Sequence, residues 1–486
     1  MDIRLPLSSV KESAGTINAS LSALLRRPGA GSVLIILLWA CLSLPNLSVR
    51  SFIWEEGTNA EIARDVLAHG HLLEPYIYGV RFVDKPSLLP WLIAGVASLT
   101  GTVNEWSARL PSMISILLTA LLVQRLTQRY ASLSGSLFAA FSFLLCPLVL
   151  QKLSISEPDT VLTFFSFAAF VLWWNGASSA RISISRWSGC GLLLALLALA
   201  KGPQPAGFFG LGMLAYLVTE RRWRDLPGFF FCMSFPIITS VAWVLAVYHP
   251  GDGAVWHGYT RTGGLPGLRN YLEFNLRKFG EATLELMPGL ILLPIIPWPW
   301  RRDRAALTID GVAKPLILYS LVCTVALFLW PGAQGRYAMP IAPSLAVLEG
   351  FAWDILNASK KLALQRILVA AFGTLASYQF ALVTLIMPIY AERFGESRLV
   401  GMAIDQAIRS APAPGYCTDL STNQLFYVHE HIQCIELSKL ASIAPPAWLL
   451  IDPLTLARYS ALKPDQKLRV VVETNSGPQL AAVRLE

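Results

Sequence analysis

Long apolar runs separated by short polar junctions dominate this chain, and they leave it little choice of medium. A backbone N–H or C=O left unpaired in hydrocarbon costs several kcal/mol, so a run of roughly 20 mostly apolar residues reads as a spanning helix. Runs near 32–49, 107–124, 133–151, 159–175, 187–200, 203–219, 228–248, 285–300, 315–331, 338–357 and 367–390 give eleven spans, the fifth of them short. With 54% hydrophobic and only 14% charged residues over 486 positions, there are too few charges to clothe a soluble core of that size.

The formal net charge of +8 does not point to nucleic acid, because no basic block is interleaved with aromatics. The cations instead gather at every second junction. Arg4, Lys11, Arg26 and Arg27 precede the first span, and Arg125 with Arg129, Arg181 with Arg186, and Arg221, Arg222 and Arg224 follow at alternate junctions. Arg301, Arg302, Arg304 and Lys314, then Lys360, Lys361 and Arg366, complete the set. The positive-inside rule makes this face cytoplasmic, and an odd number of spans sends the tail outside. Ser32–Val49 is long and lacks a following small-residue cleavage site, so it reads as a signal anchor.

The opposite junctions differ in kind: each is a sparse mixture of acids, bases and aromatics abutting a helix end. They hold Glu55, Glu56 and Lys85, then Glu157 and Asp159, Lys201-Gly202-Pro203, the long loop from His249 to Glu285, and Arg336-Tyr337. Pro86–Thr100 is apolar but short, and counting it as a span would invert every later loop. It reads as an outer interfacial helix partnered by a helix over Asn59–Ala68, whose Ile62, Val66 and Leu67 form an apolar stripe. Ionisable residues are scarce inside the spans, Glu349 being the chief exception, which moves the chemistry to the rim.

Three divisions follow: a cytoplasmic segment 1–31, a bundle 32–390 with loops 50–106 and 249–285 outside, and a small outer α/β domain 391–486. In the tail the pattern predicts a helix over Arg398–Ser410 and strands over 416–420, 425–429, 447–452, 468–473 and 480–485. Cys417 and Cys434 lie there, far from any CxxC pattern. In an oxidising compartment they are either bonded to each other or left as two thiols. The five other cysteines fall in apolar segments and act as small hydrophobes.

A carboxylate beside an apolar wall can act as general base toward a hydroxyl, and a nearby Lys or Arg can stabilise charge developing on a departing phosphate. Such a rim suits group transfer from a lipid phosphate in the same membrane. Each residue also has a plainer reading. Glu55 and Glu56 are adjacent, so one faces a cavity at most, and together they also read as a solvated pair. Glu157 and Asp159 can be an acidic helix cap. Lys85 can extend to headgroups, Lys201 can close a helix, and Arg336 with Tyr337 can be an interfacial anchor. Trp256 and His257 read as a loop contact.

Taken together the motifs resemble a known family. Glu55-Glu56-Gly57-Thr58-Asn59-Ala60-Glu61-Ile62, then Lys85-Pro86 and Trp91, Glu157-Pro158, Lys201-Gly202-Pro203, and Arg336-Tyr337 with Pro340 are similar to the signature of C-type glycosyltransferases that use polyprenyl-phosphate sugars. That group includes the protein O-mannosyltransferases and the bacterial transferase that adds aminoarabinose to lipid A. The resemblance runs from about residue 30 to 390, with Glu55 and Glu157 where the family usually has Asp and Thr58-Asn59 where it usually has Arg-Tyr.

It implies an inverting transferase at the periplasmic face of a bacterial inner membrane, with a polyprenyl-phosphate sugar donor and a lipid, glycan or protein acceptor. Glu55 would take or orient the acceptor proton, assisted by Glu157 or Asp159. Lys85 would hold the leaving phosphate, with Arg269 or Arg336 as second clamp and Lys201 as a further candidate, while Glu56 and Tyr337 would contact substrate. No cofactor is required, although the acids could hold a divalent metal. Two rival readings are a transporter or flippase for a lipid-linked glycan, with charges along a mid-membrane route, and a noncatalytic assembly subunit using the tail to bind a partner.

Overall fold

The computed structural model describes residues 29–177, 182–250, 268–296, 310–330, 334–418, 422–473 and 480–486. The chain is a mostly helical membrane protein. Six helical stretches among the described residues are long and apolar enough to cross a bilayer: Glu105–Thr127, Ile184–Lys201, Trp223–Val247, Gly311–Leu329, Gly335–Ala358 and Leu362–Ile389. Most of the segment 1–31 expected to precede the bundle, Arg181, Trp256, His257 and the 301–304 arginines lie outside the described residues.

In chain order the bundle contains α1 (Ala30–Ser43), α2 (Glu56–His69), α3 (Leu88–Thr100), α4 (Glu105–Thr127), α5 (Leu133–Leu145), α6 (Pro147–Lys152), α7 (Pro158–Ala177) and α8 (Ile184–Lys201). These are followed by α9 (Gln204–Thr219), α10 (Leu226–Val247), α11 (Leu268–Glu285), α12 (Asp310–Leu329), α13 (Ala342–Ala358) and α14 (Leu362–Ala381). Ten of the eleven apolar runs coincide with α-helix. The run 285–300 instead begins where α11 ends and forms a 3₁₀ helix over Gly289–Ile295. The run 133–151 breaks at Pro147, which cannot donate within a helix and starts α6.

Close helix packing comes from small residues, as in other bundles that lack a hydrophobic driving force between helices in lipid. At the α5–α13 crossing a Cβ on Gly350 would stand 2.6 Å from the carbonyl oxygen of Gly135. Asp354 on α13 accepts from Ser132 N and Oγ, both at 2.6 Å, capping α5 from its neighbour. Glu349, the acid inside a span, is buried and takes a hydrogen bond from Ser142.

One end of the bundle gathers Arg129 and Arg186, which both reach Asn175, and Lys314, which pairs with Glu220. The other end carries the Glu55–Lys85 stretch and the tail. Beyond α14 the chain forms α15 (Glu396–Ser410), a short helix over Thr422–Leu425, and α16 (Pro453–Leu462). After a two-residue hairpin in the first loop, β1 (Tyr76–Ile77) and β2 (Val80–Arg81), five strands form one sheet in the tail. They are β3 (Gly415–Cys417), β4 (Ile432–Cys434), β5 (Ala447–Ile451), β6 (Leu468–Glu473) and β7 (Ala481–Leu485), in the order β4-β3-β5-β7-β6. β3 runs parallel to β4 and β5, and β7 runs antiparallel to β5 and β6. Cys417 and Cys434 stand opposite each other on β3 and β4 and are bonded.

The expected strand over 425–429 is not one. Its apolar residues fill the contact between tail and bundle instead: Tyr427 Oη accepts from Phe52 N at 3.1 Å and donates to Glu105 at 2.8 Å, while the Arg64 guanidinium lies 3.8 Å from the Phe426 ring centre. Gly57 N donates to Asn423 Oδ1 at 3.0 Å, and Asn423 Nδ2 donates to Trp54 O at 2.9 Å. The tail thus grips the backbone on both sides of Glu55.

A Cβ at Gly57 would stand 2.7 Å from the backbone of Thr422 and Asn423. Gly57→Val should therefore cost about 1–3 kcal/mol, read as a lower melting temperature in detergent and faster proteolysis of the tail. An unchanged melting temperature and digestion pattern would contradict this packing.

Candidate active site

The two adjacent acids separate by burial. Glu56 is the first residue of α2 and is fully enclosed. It accepts from Arg50 at 2.8 Å, from Arg109 at 2.8 and 3.0 Å, and from the backbone N–H groups of Ile53 and Ser156 at 3.1 and 2.9 Å. Burial alone would raise its pKa, but the Arg109 and Arg50 guanidiniums and their hydrogen bonds pull it from the usual 4.5 down to about 2. Glu56 has no face left for a substrate, which corrects its expected substrate-binding role.

Glu55, one residue earlier, points into a cavity of about 680 Å³ that Asp84, Lys85, Asp159, Lys201, Arg336 and Tyr337 also line. Trp54, in a left-handed conformation at φ 52°, turns the chain just ahead of it. Glu55 pairs with Lys85, at the end of the chain leading from β2, and Asp159 in the first turn of α7 pairs with Lys201 in the last turn of α8. Arg336 comes from a 3₁₀ turn over Gly335–Ile341 that precedes α13, and the Lys201 ammonium stands 4.0 Å from the Tyr337 ring centre. Burial would raise the Glu55 pKa, but Lys85, and beyond it Arg336 and Lys201, hold it below the usual carboxylate value.

Glu157 sits behind this cavity, not in its lining. One of its oxygens accepts from Arg336 at 2.7 Å and the other faces Lys152. Lys152, which sequence reasoning did not single out, is buried and also stands 4.5 Å from the Trp54 ring centre. Of the two second-loop acids, Asp159 therefore meets the cavity and Glu157 aims Arg336. Arg269 lies exposed near the start of α11 and does not line the cavity, so the structure does not gather it with the other cations. Two polar atoms on the cavity residues, Asp159 Oδ2 and Arg336 Nε, are buried without a hydrogen-bond partner.

The rest of the cavity is mostly apolar. Leu162, Phe208, Val241, Val244, Leu245 and Leu327 form its walls, and Val241 and Leu245 are open to the outer surface of the bundle. A charged end beside an apolar trough fits an amphiphile with a polar headgroup.

The fold is that of a polytopic membrane protein and is shared with solved membrane proteins. The crystal structure of ArnT from Cupriavidus metallidurans bound to undecaprenyl phosphate superposes with a TM-score of 0.70 at 16% identity, covering 94% of this chain and 98% of that one. The apo oligosaccharyltransferase of Archaeoglobus fulgidus gives a TM-score of 0.51 at 13% identity, covering 84% and 64%. In sequence, a family model described as dolichyl-phosphate-mannose-protein mannosyltransferase matches residues 84–246. The undecaprenyl phosphate-alpha-4-amino-4-deoxy-L-arabinose arabinosyl transferase of Pseudomonas aeruginosa is 25% identical over 376 residues, 72% of this chain. The match spans 65% of that relative's length. The chain is thus similar, in sequence and in fold, to the aminoarabinose transferases that its motifs resemble.

Replacing Glu56 by Gln would leave two buried guanidiniums facing a neutral amide, an expected loss of about 3–5 kcal/mol. The depressed pKa of Glu56 adds a pH signature. Its stabilising contribution is complete above the unfolded value of 4.5 and is lost as pH falls toward about 2. Thermal melts of wild type and Glu56→Gln across that window should therefore converge in acid, and parallel curves would contradict the assignment.

Proposed function

We propose that this chain transfers a sugar from a polyprenyl-phosphate carrier to a lipid, glycan or protein acceptor at the periplasmic face of a bacterial inner membrane. The observation that carries the reading is the convergence of Glu55 with Lys85, Lys201 and Arg336 at one end of an apolar trough. The names of the relatives point the same way, toward an undecaprenyl-phosphate-linked sugar as donor. Eleven spans, a cytoplasmic N-terminus and a periplasmic domain over 391–486 complete the proposed topology, with the arginine-rich end of the bundle inside.

In the proposed reaction the isoprenoid chain lies along Val241, Val244 and Leu245, and its phosphate enters among Lys85, Lys201 and Arg336. The acceptor oxygen attacks the anomeric carbon from the side opposite the phosphate, and the bond from that carbon to the phosphate oxygen breaks with inversion. Glu55 receives the acceptor proton, or orients the acceptor when the nucleophile is already a phosphate. Lys85 is shared between the two events. While paired with Glu55 it keeps that carboxylate weakly basic, and as it turns to the arriving phosphate the Glu55 pKa rises toward a useful base. Asp159 holds Lys201 and Glu157 holds Arg336, so each acid orients a cation. These cations supply the charge stabilisation that a metal would otherwise give, and the proposal includes no cofactor.

The rival reading, a transporter, requires charges along a route through the membrane. Here α7 begins next to Asp159, α8 ends at Lys201 and Arg336 precedes α13, so the charges stand at helix ends. In reconstituted membranes with a polyprenyl-phosphate sugar, Glu55→Gln should lower kcat by about 10²–10⁴ while the protein remains folded and inserted. Lys85→Ala should raise the donor KM by about tenfold to a hundredfold. Wild-type turnover in the first variant would remove Glu55 from the chemistry, and unchanged donor dependence in the second would remove the phosphate clamp.

A further inference from the structure

We propose that Asp65, His69 and His71 form a binding site for a divalent transition ion of the zinc type, separate from the cavity. Asp65 and His69 are four residues apart on α2 and so share one face of the helix, the spacing by which two helical side chains reach a common ion. Gly70 then caps α2 in a left-handed conformation at φ 76° and reverses the chain, which brings His71 back to the same carboxylate. The two Nδ1 atoms stand 2.9 Å from the two oxygens of Asp65, one on each.

The donor atoms of the three side chains all lie within 4.8 Å of one another. Ligands about 2.1 Å from a tetrahedral zinc are about 3.4 Å apart, so small side-chain rotations admit the ion. Both imidazoles have room to make them, with 64% and 42% of their side-chain surface exposed. The His71 ring rests 4.5 Å from the Tyr76 ring centre, which steadies it against the β1–β2 hairpin. Two imidazole nitrogens and one carboxylate form a donor set that suits zinc better than calcium or magnesium, and the exposed side leaves a position for water.

The location gives the site a consequence. α2 starts beside Glu55, and the hairpin after His71 leads to Lys85. An ion at this corner would brace the segment that sets the two against each other, without touching either. None of its three ligands lines the cavity.

The test uses full-length protein purified in nanodiscs through a tag that contains no histidine. After incubation with Zn²⁺ and desalting, elemental analysis should find about one retained ion per chain, and zinc should raise the melting temperature. His69→Gln, His71→Gln and Asp65→Asn should each weaken zinc binding at least tenfold and abolish the thermal shift, while their metal-free melting temperatures match wild type. If a variant fails to fold, Co²⁺ added to wild type provides the second readout, a visible absorption band of a tetrahedral nitrogen and oxygen site. No retained zinc in wild type, retention unchanged in folded variants, or no cobalt band would overturn the proposal. Metal content is measured without the transfer reaction, so this result and the functional reading fail independently.

Discussion

A single enclosed carboxylate sets the geometry of the charged end of this bundle. Glu56 holds Arg50 and Arg109 around it, and those guanidiniums in turn donate to the carbonyls of Leu47, Arg50, Ser51 and Ser154. The cluster fixes the exit from α1, the start of α2, the first turns of α4 and the loop before α7 against one another. Burying charges costs several kcal/mol per ion, so such a cluster is a poor source of net stability. What it provides here is direction. With Glu56 committed inward, the next side chain, Glu55, is turned into the cavity toward Lys85.

A second layer of pairing acts on the cations of the cavity. Glu157 holds Arg336, and Lys152 joins Glu157 to the Trp54 ring beside Glu55. Asp159 and Lys201 close the far side. The tail adds a third restraint through Asn423 and Tyr427, which fasten the backbone around Trp54 and Phe52. In the proposed reaction these contacts matter because the leaving phosphate must find cations already positioned, and little of their orientation is left to be organised during the event.

Much of this was legible in the residues. Apolar run length coincides with α-helix at ten of the eleven runs, because a spanning segment has to satisfy its own backbone and so announces itself by composition. It fails at 285–300, where Gly289–Ile295 is a short 3₁₀ helix. The motif residues Glu55, Lys85, Asp159, Lys201, Arg336 and Tyr337 do share one cavity. The division of labour between Glu55 and Glu56 was not readable, since it depends on Arg109, a lone cation at the start of an apolar span that could have been questioned on that ground. Lys152 carried a similar signal, an isolated base a few residues before Glu157. Arg269 was misplaced because nothing local says which way the end of a long loop faces.

In the tail, β4 is three residues long and left no pattern, whereas Asp452-Pro453 was an unread helix start. Asp452 caps α16 by accepting from Leu454 and Thr455 N–H groups at 2.9 and 3.0 Å. The apolar stretch around Phe426 and Tyr427 looked like a strand because burial against another part of the chain and burial in a sheet leave the same composition.

The most direct test of the account is an experimental structure of the chain in nanodiscs with undecaprenyl phosphate. The account predicts phosphate density in contact with Lys85 and Arg336, isoprenoid density along Val241 and Leu245, and a Glu55 carboxylate released from Lys85. Lipid phosphate bound elsewhere on the protein, or Glu55 turned out of the cavity, would contradict it.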